Sequence, residues 1–272
     1  MFVPLTRRGP ACAREYAIYW TNNFTGTIGR ANRNGTGINQ NFITGAKNLI
    51  AVTVHGDYIY WTNVGPGGLG NAPIGRARLD GTHVDQSFIT AGGPAGVAVM
   101  GKHIYWTNDG GPGALGDGQS IGRAHLDGTG VDQSFITGAN NPNGVAVRGE
   151  HIYWANSGDG TIGRAKLDGT EVNQSFISAP TGPVGLAIDG KHIYWTNYGN
   201  RTIGRAKLDG TGIDQSFITG TFDSYGVAVD SDHIYWTNND GTIGRASLDG
   251  TGVDQSFISG ASGPAGLAVE DS

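Results

Sequence analysis

The chain contains 272 residues, of which 48 are glycine and 10 are proline, and only 15% are charged. Glycine accounts for about 7% of an average protein, so this excess predicts many tight turns, and the low charged fraction excludes a coiled coil or a charge-driven disordered chain. The net charge of −5 argues against nucleic acid as a partner. No apolar run approaches the roughly 18 residues of a membrane-spanning helix.

Residues 1–15 precede the repeated part of the chain, and we expect this N-terminal segment to be flexible. Arg7 and Arg8 are followed by Gly9 and Pro10 rather than by the apolar stretch of a secretory signal. We therefore recognise no signal peptide in this sequence. The compartment stays open, and an extracellular location requires that the natural N-terminus lie upstream.

Three short strings recur six times along the rest of the chain. Tyr-Trp begins at Tyr19, Tyr60, Tyr105, Tyr153, Tyr194 and Tyr235. Ile-Gly-Arg-Ala begins at Ile28, Ile74, Ile121, Ile162, Ile203 and Ile243. Gln-(Ser/Asn)-Phe-Ile begins at Gln40, Gln86, Gln133, Gln174, Gln215 and Gln255. Repeats of forty-odd residues indicate a repeat architecture of six equivalent units.

Each unit is predicted to contain four short strands, as the fifth unit illustrates in chain order. Residues 185–188 form a small apolar run, and residues 192–197 are rich in β-branched and aromatic side chains. Residues 202–208 alternate between apolar and polar, and residues 215–218 form the last strand. Asp-Gly pairs separate the runs as hairpin turns, and no segment shows the 3.6-residue spacing of an amphipathic helix.

Large apolar side chains occupy both faces of the aromatic strand. In Ile193-Tyr194-Trp195 neighbouring side chains point to opposite faces of the sheet. Each small sheet must therefore pack on both sides, which favours an all-β, six-bladed β-propeller with four antiparallel strands per blade over 16–272. The first unit lacks an innermost strand and the last has one in excess, so we predict that residues 266–270 pair beside residues 16–22 and close the ring.

The strings Tyr-Trp-Thr-Asn and Leu-Asp-Gly-Thr resemble the YWTD repeats, the class B repeats of low-density-lipoprotein-receptor-type proteins. The resemblance covers residues 16–270 and implies a six-bladed propeller that binds a protein or another ligand without chemistry. The near-identical units, with no flanking cysteine-rich EGF-like module, are more similar to a stand-alone propeller of microbial type.

The chain departs from the YWTD pattern at two positions of the repeat. The family's aspartate is replaced throughout by Asn22, Asn63, Asn108, Asn156, Asn197 and Asn238. The threonine is replaced by Ala155 in the fourth unit. Contacts that need the carboxylate's charge are therefore in question, although asparagine retains one acceptor.

Residues present in every unit are interpreted first as architecture. The Tyr-Trp pairs are predicted to form the core between blades. We expect a recurring arginine to pair with a neighbouring carboxylate or with backbone carbonyls rather than to bind an anion; it occurs at Arg30, Arg76, Arg123, Arg164, Arg205 and Arg245. We expect a histidine before the aromatic strand to be a solvated hairpin residue rather than a metal ligand; it occurs at His103, His151, His192 and His233.

Function is predicted where the symmetry breaks, on the loop face. We give this name to the face that carries the loops after the second strands and the connections entering the next blade. It collects Asp109, Asp117, Asp159, Asp223 and Asp240, the isolated cations Lys47 and Arg201, and the exposed aromatics Phe24, Tyr198, Phe222 and Tyr225. We predict that five of these residues form one binding patch: Tyr198, Arg201, Phe222, Asp223 and Tyr225.

Two functional hypotheses follow from these observations. The first is a non-catalytic module that recognises a protein or carbohydrate ligand through the loop face. The alternative is a propeller enzyme of the lyase or lactonase type with a metal ion at the channel mouth. No catalytic motif is present, so we assign neither catalytic nor metal-binding residues; Ca²⁺ on loop-face carboxylates stays possible. We expect no other cofactor and a monomer.

Overall fold

The structure, a computed structural model, describes residues 16–63, 71–109, 119–178 and 182–270. Within these ranges the chain forms 24 strands and no helix, arranged as six four-stranded antiparallel sheets. The predicted all-β, six-bladed propeller is thereby confirmed. No helix long and apolar enough to cross a membrane occurs in these ranges. The N-terminal segment 1–15, predicted to be flexible, lies outside them.

The strands follow one another blade by blade. Blade 1 contains β1 (Ala17–Asn22), β2 (Thr27–Asn32) and β3 (Asn39–Ile43). Blade 2 contains β4 (Leu49–His55), β5 (Tyr58–Asn63), β6 (Asn71–Arg78) and β7 (Asp85–Gly92). Blade 3 contains β8 (Pro94–Met100), β9 (His103–Asn108), β10 (Ser120–His125) and β11 (Asp132–Thr137). Blade 4 contains β12 (Pro142–Arg148), β13 (His151–Asn156), β14 (Thr161–Lys166) and β15 (Asn173–Ser178).

The remaining strands complete the ring. Blade 5 contains β16 (Pro183–Ile188), β17 (His192–Asn197), β18 (Thr202–Lys207) and β19 (Asp214–Thr219). Blade 6 contains β20 (Val227–Val229), β21 (His233–Asn238), β22 (Thr242–Ser247) and β23 (Asp254–Ser259). The last strand, β24 (Pro264–Val269), returns to blade 1 and gives it the order β24-β1-β2-β3. The innermost strands β24, β4, β8, β12, β16 and β20 surround a central channel.

The ring closes as the sequence predicts. Strands β24 and β1 pair antiparallel, with Ile18 opposite Val269 and Trp20 opposite Leu267. The hydroxyl of Tyr19 also donates to Glu270 Oε1 at 2.7 Å. These contacts join the two ends of the described chain and leave the first blade no free inner edge.

The core consists of six layers between neighbouring blades. Because side chains alternate along a strand, Tyr19 packs with Trp61 of blade 2, whereas Trp20 packs with Tyr235 of blade 6. The same tyrosine-to-tryptophan contact recurs at the other four boundaries. All twelve rings are at most 3% exposed, so their predicted role as inter-blade core is confirmed.

The glycine of Ile-Gly-Arg-Ala is required by the tryptophan beside it. Gly29 lies opposite Trp20 in the register of β1 and β2, and a Cβ there would come within 2.2 Å of the indole. The indole Nε1 donates to Gln40 Oε1 at 3.0 Å, and Gln40 Nε2 donates to the carbonyl of Ser259 in blade 6 at 3.2 Å. The recurrent glycine and glutamine therefore serve one packing unit that also connects adjacent blades.

The asparagine that ends the second strand acts through its amide. In blade 4, Asn156 Nδ2 donates to the carbonyl of Gln174 at 2.9 Å and to Thr161 Oγ1 at 3.1 Å. Its Oδ1 accepts a hydrogen bond from the backbone N–H of Asn140 at 3.0 Å. A carboxylate could supply the acceptor but neither donor, so asparagine performs a function that aspartate could not perform here.

The threonine before this asparagine bridges the innermost strands of two blades. Thr196 Oγ1 accepts from the N–H of Gly185 at 2.8 Å and donates to the carbonyl of Tyr225 in the next blade at 3.0 Å. Equivalent bridges start from Thr21, Thr62, Thr107 and Thr237. In blade 4 the equivalent residue is Ala155, which has no hydroxyl, so the boundary between blades 4 and 5 lacks this link.

The recurring arginines pack against aromatic rings. In blades 2 to 6 the guanidinium carbon lies 3.7 to 3.9 Å from the centroid of a phenylalanine on the outer strand. Arg76 and Arg205 also donate to backbone carbonyls, as predicted. Asp80 and its equivalents in the hairpins accept hydrogen bonds from the threonine two residues later. Of the two predicted kinds of partner, the carbonyls are therefore the ones observed.

Candidate functional site

Two loops of the loop face meet at the boundary between blades 5 and 6. The first, residues 198–201, joins β17 to β18, and the second, residues 220–226, joins β19 to β20. Together they carry the five residues that the sequence singled out. They form two contacting groups, the pair of tyrosines and Arg201 with its two partners, and the carboxylate of Asp223 acts electrostatically on Tyr225. We call the whole set the loop-face patch: Tyr198, Arg201, Phe222, Asp223 and Tyr225.

The two tyrosines form the inner part of the loop-face patch. The ring centroids of Tyr198 and Tyr225 are 4.8 Å apart, with 40° between the ring planes. Burial, a hydrogen bond with Tyr198 and the nearby carboxylate of Asp223 raise the pKa of Tyr225 to about 12. The Tyr225 hydroxyl is therefore protonated at neutral pH. The rings of Tyr198 and Tyr225, 43% and 37% exposed, remain accessible to a ligand.

Arg201 forms the outer part of the loop-face patch. Its Nε donates to Asp223 Oδ1 at 3.3 Å, and its guanidinium carbon lies 4.8 Å from the centroid of the Phe222 ring. The expectation that Arg201 is an isolated cation is therefore wrong. The ion pair lies at the surface, where its net contribution to stability is small, and it holds a planar polar group beside an exposed ring.

Backbone hydrogen bonds hold the second loop against both blades. The N–H of Thr221 donates to the carbonyl of Arg201 at 3.2 Å, and the N–H of Asn239 donates to the carbonyl of Phe222 at 2.7 Å. The N–H of Phe222 donates to Asn238 Oδ1 at 2.9 Å. Arg201 and Asp223 adopt positive φ angles of 57° and 45°, which turn the backbone at both ends of their ion pair. The aromatic side chains are thus presented from a fixed scaffold.

An apolar cavity of about 460 Å³ opens beside the loop-face patch, at the loop-face mouth of the central channel. Its wall consists largely of valine, leucine, alanine and glycine from the six innermost strands, and Tyr225 belongs to both the wall and the patch. Phe24, which is 79% exposed, lies at the same mouth. Among the described lining residues, Tyr225 is the one titratable side chain.

The loop-face carboxylates lie apart in the described part of the chain. Asp159 accepts from Thr161, and Asp240 accepts from Thr242 within its own turn. Burial raises the pKa of Asp109 to about 6. Asp117 lies outside the described residues. Asp230, Asp232 and His233 are close enough to share an ion, but they lie on the opposite face.

Two features of that opposite face concern the recurring histidines and Arg33. The four recurring histidines begin strands instead of lying in hairpins; each is half-buried, with its ring centroid 6.0 to 6.1 Å from that of a tyrosine. The solvated-hairpin interpretation is therefore wrong. Arg33, whose Nε lies 2.7 Å from Asp230 Oδ2, is not among the candidate residues predicted from the sequence. The sequence signal that could have identified it is that the other five units have leucine at this position.

Solved structures share this fold over most of their length. A chain from a nidogen/laminin complex aligns with a TM-score of 0.76 and 21% identity, covering 93% of this chain and 98% of that one. A streptogramin B lyase aligns with a TM-score of 0.63 and 19% identity, covering 93% of this chain and 83% of the lyase chain. Virginiamycin B lyase from Staphylococcus aureus aligns with a TM-score of 0.64 and 16% identity, covering 94% of this chain and 86% of that one.

At these identities the likeness shows the fold alone. No protein-family model matches the sequence, and no curated protein matches it. The fold is shared by a protein solved in a complex with another protein and by lyases. The propeller is therefore compatible with both functional hypotheses, and the site must distinguish them.

Proposed function

We propose that this propeller is a non-catalytic binding module that recognises a protein or carbohydrate ligand through the loop-face patch. The observation that carries the proposal is the assembly of Tyr198, Arg201, Phe222, Asp223 and Tyr225 beside an apolar cavity. Exposed aromatic rings supply contact area, and the arginine–aspartate pair supplies directed donors and acceptors. Aromatic and arginine side chains of this kind dominate binding energy in protein interfaces.

The alternative of a lyase or lactonase has less support from the same cavity. Acid–base chemistry or a metal at the channel mouth needs carboxylates or imidazoles that converge there. The described lining offers apolar side chains, three asparagines and Tyr225, whose pKa of about 12 suits neither a general acid nor a general base near neutral pH. The similarity to the nidogen/laminin structure is consistent with the binding hypothesis and with the YWTD resemblance.

The test is a binding screen of the purified protein on glycan and protein arrays, repeated with Tyr225→Ala and Phe222→Ala. Truncating a central aromatic side chain reduces the binding free energy by more than about 1.4 kcal/mol, so each variant should bind its ligand at least about tenfold more weakly. Ile213→Ala is the matched control, since Ile213 is 45% exposed on the opposite side of blade 5. Full binding by both patch variants, or no ligand for the wild type, would refute the proposal.

A further inference from the structure

The channel has a second mouth on the hairpin face, which carries the turns joining the first and second strands of each blade. A cavity of about 540 Å³ lies there, and its wall combines residues from blades 1, 4, 5 and 6. The lining includes the cations Arg33, Arg148 and Lys191 and the carboxylates Asp189 and Asp230. These formal charges leave the cavity at +1 in a protein whose net charge is −5.

The charges at this mouth arise where the repeat departs from its own pattern. Arg33 occupies the position of a leucine in the other units: Leu79, Leu126, Leu167, Leu208 and Leu248. The corresponding position at the end of the innermost strand, or directly after it, holds five different residue types: His55, Met100, Arg148, Asp189, Asp230 and Glu270. Because other units hold leucine at the first position and methionine at the second, the propeller forms without a cation at either, and the cations of this cluster call for another explanation.

The carboxylate of Asp230 is saturated by donors from the protein. Its Oδ1 accepts the N–H groups of Asp232 and His233, both at 2.7 Å. Its Oδ2 accepts the Tyr235 hydroxyl at 2.9 Å and lies 2.7 Å from Arg33 Nε. This side chain, which is fully buried, therefore has little capacity for a ligand cation.

Asp189 repeats this arrangement one blade earlier. Its Oδ1 accepts the N–H groups of Lys191 and His192 at 2.5 and 2.6 Å, and its Oδ2 accepts the Tyr194 hydroxyl at 2.9 Å. The acidic side chains thus brace the hairpins. Their lone pairs point to the protein's own donors rather than to the cavity.

The cationic side chains, in contrast, have donors to spare. Arg148 and Lys191 are exposed, and within the described ranges neither side chain has a hydrogen bond or an ion pair. Arg148 Nη2 lies 3.9 Å from where a Cβ of Gly190 would be, so this guanidinium reaches across to the hairpin that carries Lys191. Arg33 Nη2 is buried with no acceptor, a state that costs free energy unless a partner is supplied.

We propose that this cavity is an oxyanion site that takes the phosphate or carboxylate group of a small ligand, with Arg148 and Lys191 as its main donors. Guanidinium and ammonium groups from two blades converge on one concave surface, which suits bidentate and point-charge recognition of such a group. The site lies at the opposite end of the channel from the loop-face patch and does not depend on it.

The test titrates inorganic phosphate and, separately, acetate into the full-length protein at constant ionic strength, because screening would otherwise mimic competition. Calorimetry of the wild type should show saturable, millimolar or tighter binding. Arg148→Met, which installs the residue of blade 3 at this position, and Lys191→Gln should each weaken it at least tenfold. Lys102→Gln is the control, since Lys102 occupies the Lys191 position in blade 3 and does not line the cavity.

Each outcome decides the proposal. Phosphate binding that is lost in Arg148→Met and Lys191→Gln but kept in Lys102→Gln supports it, and stronger binding of acetate than of phosphate would assign a carboxylate ligand. No binding of either anion by the wild type, equal binding by all variants, or equal loss in Lys102→Gln would overturn it. Thermal unfolding of each variant without ligand checks that the fold is retained.

Discussion

Replacing the amide at the end of a second strand by the family's carboxylate tests the role that the structure gives it. Asn156→Asp preserves the shape of a fully buried side chain and adds one negative charge. The Oδ2 that replaces Nδ2 would face the carbonyl of Gln174 across 2.9 Å, where the amide now donates. The acceptor contact with the N–H of Asn140 would remain.

The expected loss follows from the bonds that change. Two hydrogen bonds, to Gln174 and Thr161, contribute about 1 kcal/mol each, and a buried polar group left without a partner costs about 1–3 kcal/mol. The Thr161 hydroxyl can turn toward the new carboxylate and recover part of the loss. We therefore expect Asn156→Asp to lower the free energy of unfolding by about 3 kcal/mol at neutral pH, a large share of the roughly 5–15 kcal/mol of a typical domain.

The loss should depend on pH in a defined direction. Burial opposite a carbonyl raises the pKa of the new carboxyl group above its unfolded value of about 3.9. The destabilisation is complete above the folded pKa and declines as the pH falls toward the unfolded pKa, because the protonated carboxyl group can donate to Gln174. Urea unfolding followed by tryptophan fluorescence at pH 7.5 and pH 4.5 measures both values.

A surface substitution with the same charge change provides the control. Asn41→Asp alters an exposed residue of β3 and should change the free energy of unfolding by less than about 0.5 kcal/mol. If Asn156→Asp were as stable as the wild type at pH 7.5, or lost further stability relative to it at pH 4.5, the assigned role of the amide would be wrong.

Two more predictions concern stability. Ala155→Thr should raise the urea midpoint and add about 1 kcal/mol to the free energy of unfolding. The new hydroxyl can bridge Gly144 and Val184 as Thr196 bridges its own pair of strands. A lower midpoint would contradict the bridging role. Asp109→Asn should raise the thermal midpoint at pH 8, because burial raises the pKa of Asp109 to about 6 and charging it costs stability above that pH. This advantage should fade between pH 6 and pH 4, so an equal gain at pH 4 would show that the charge is not its cause.

The repeat markers are sufficient to predict the architecture. Six Tyr-Trp pairs define six blades, and the surplus strand after Ile258 predicts the closure with β1. Both inferences rest on local periodicity and on counting, which need no knowledge of distances. The proximity of the two loops that carry the loop-face patch could be predicted for the same reason, since the propeller topology places the loops of blades 5 and 6 side by side.

The pairings within the sites could not be predicted, because they depend on side-chain geometry across blades. Asn156 reaches a carbonyl 18 residues away, so the replacement of the family's aspartate is visible in the sequence but its reason is not. The ion pair of Arg201 with Asp223 joins two loops whose backbone turns through positive φ. Arg33 meets Asp230 across nearly 200 residues of sequence, and only its departure from the repeat distinguishes it.

The seam between β1 and β24 affects how the protein is made. Tyr19 bonds to Glu270, a residue 251 positions later, so a nascent chain leaving the ribosome cannot finish its first sheet until residue 270 has been synthesised. Until then the inner side of β1 is an unsatisfied edge that a neighbouring polypeptide or a chaperone can occupy. The synthesis of β24, the strand that closes the ring, therefore determines when the ring ceases to be vulnerable to aggregation.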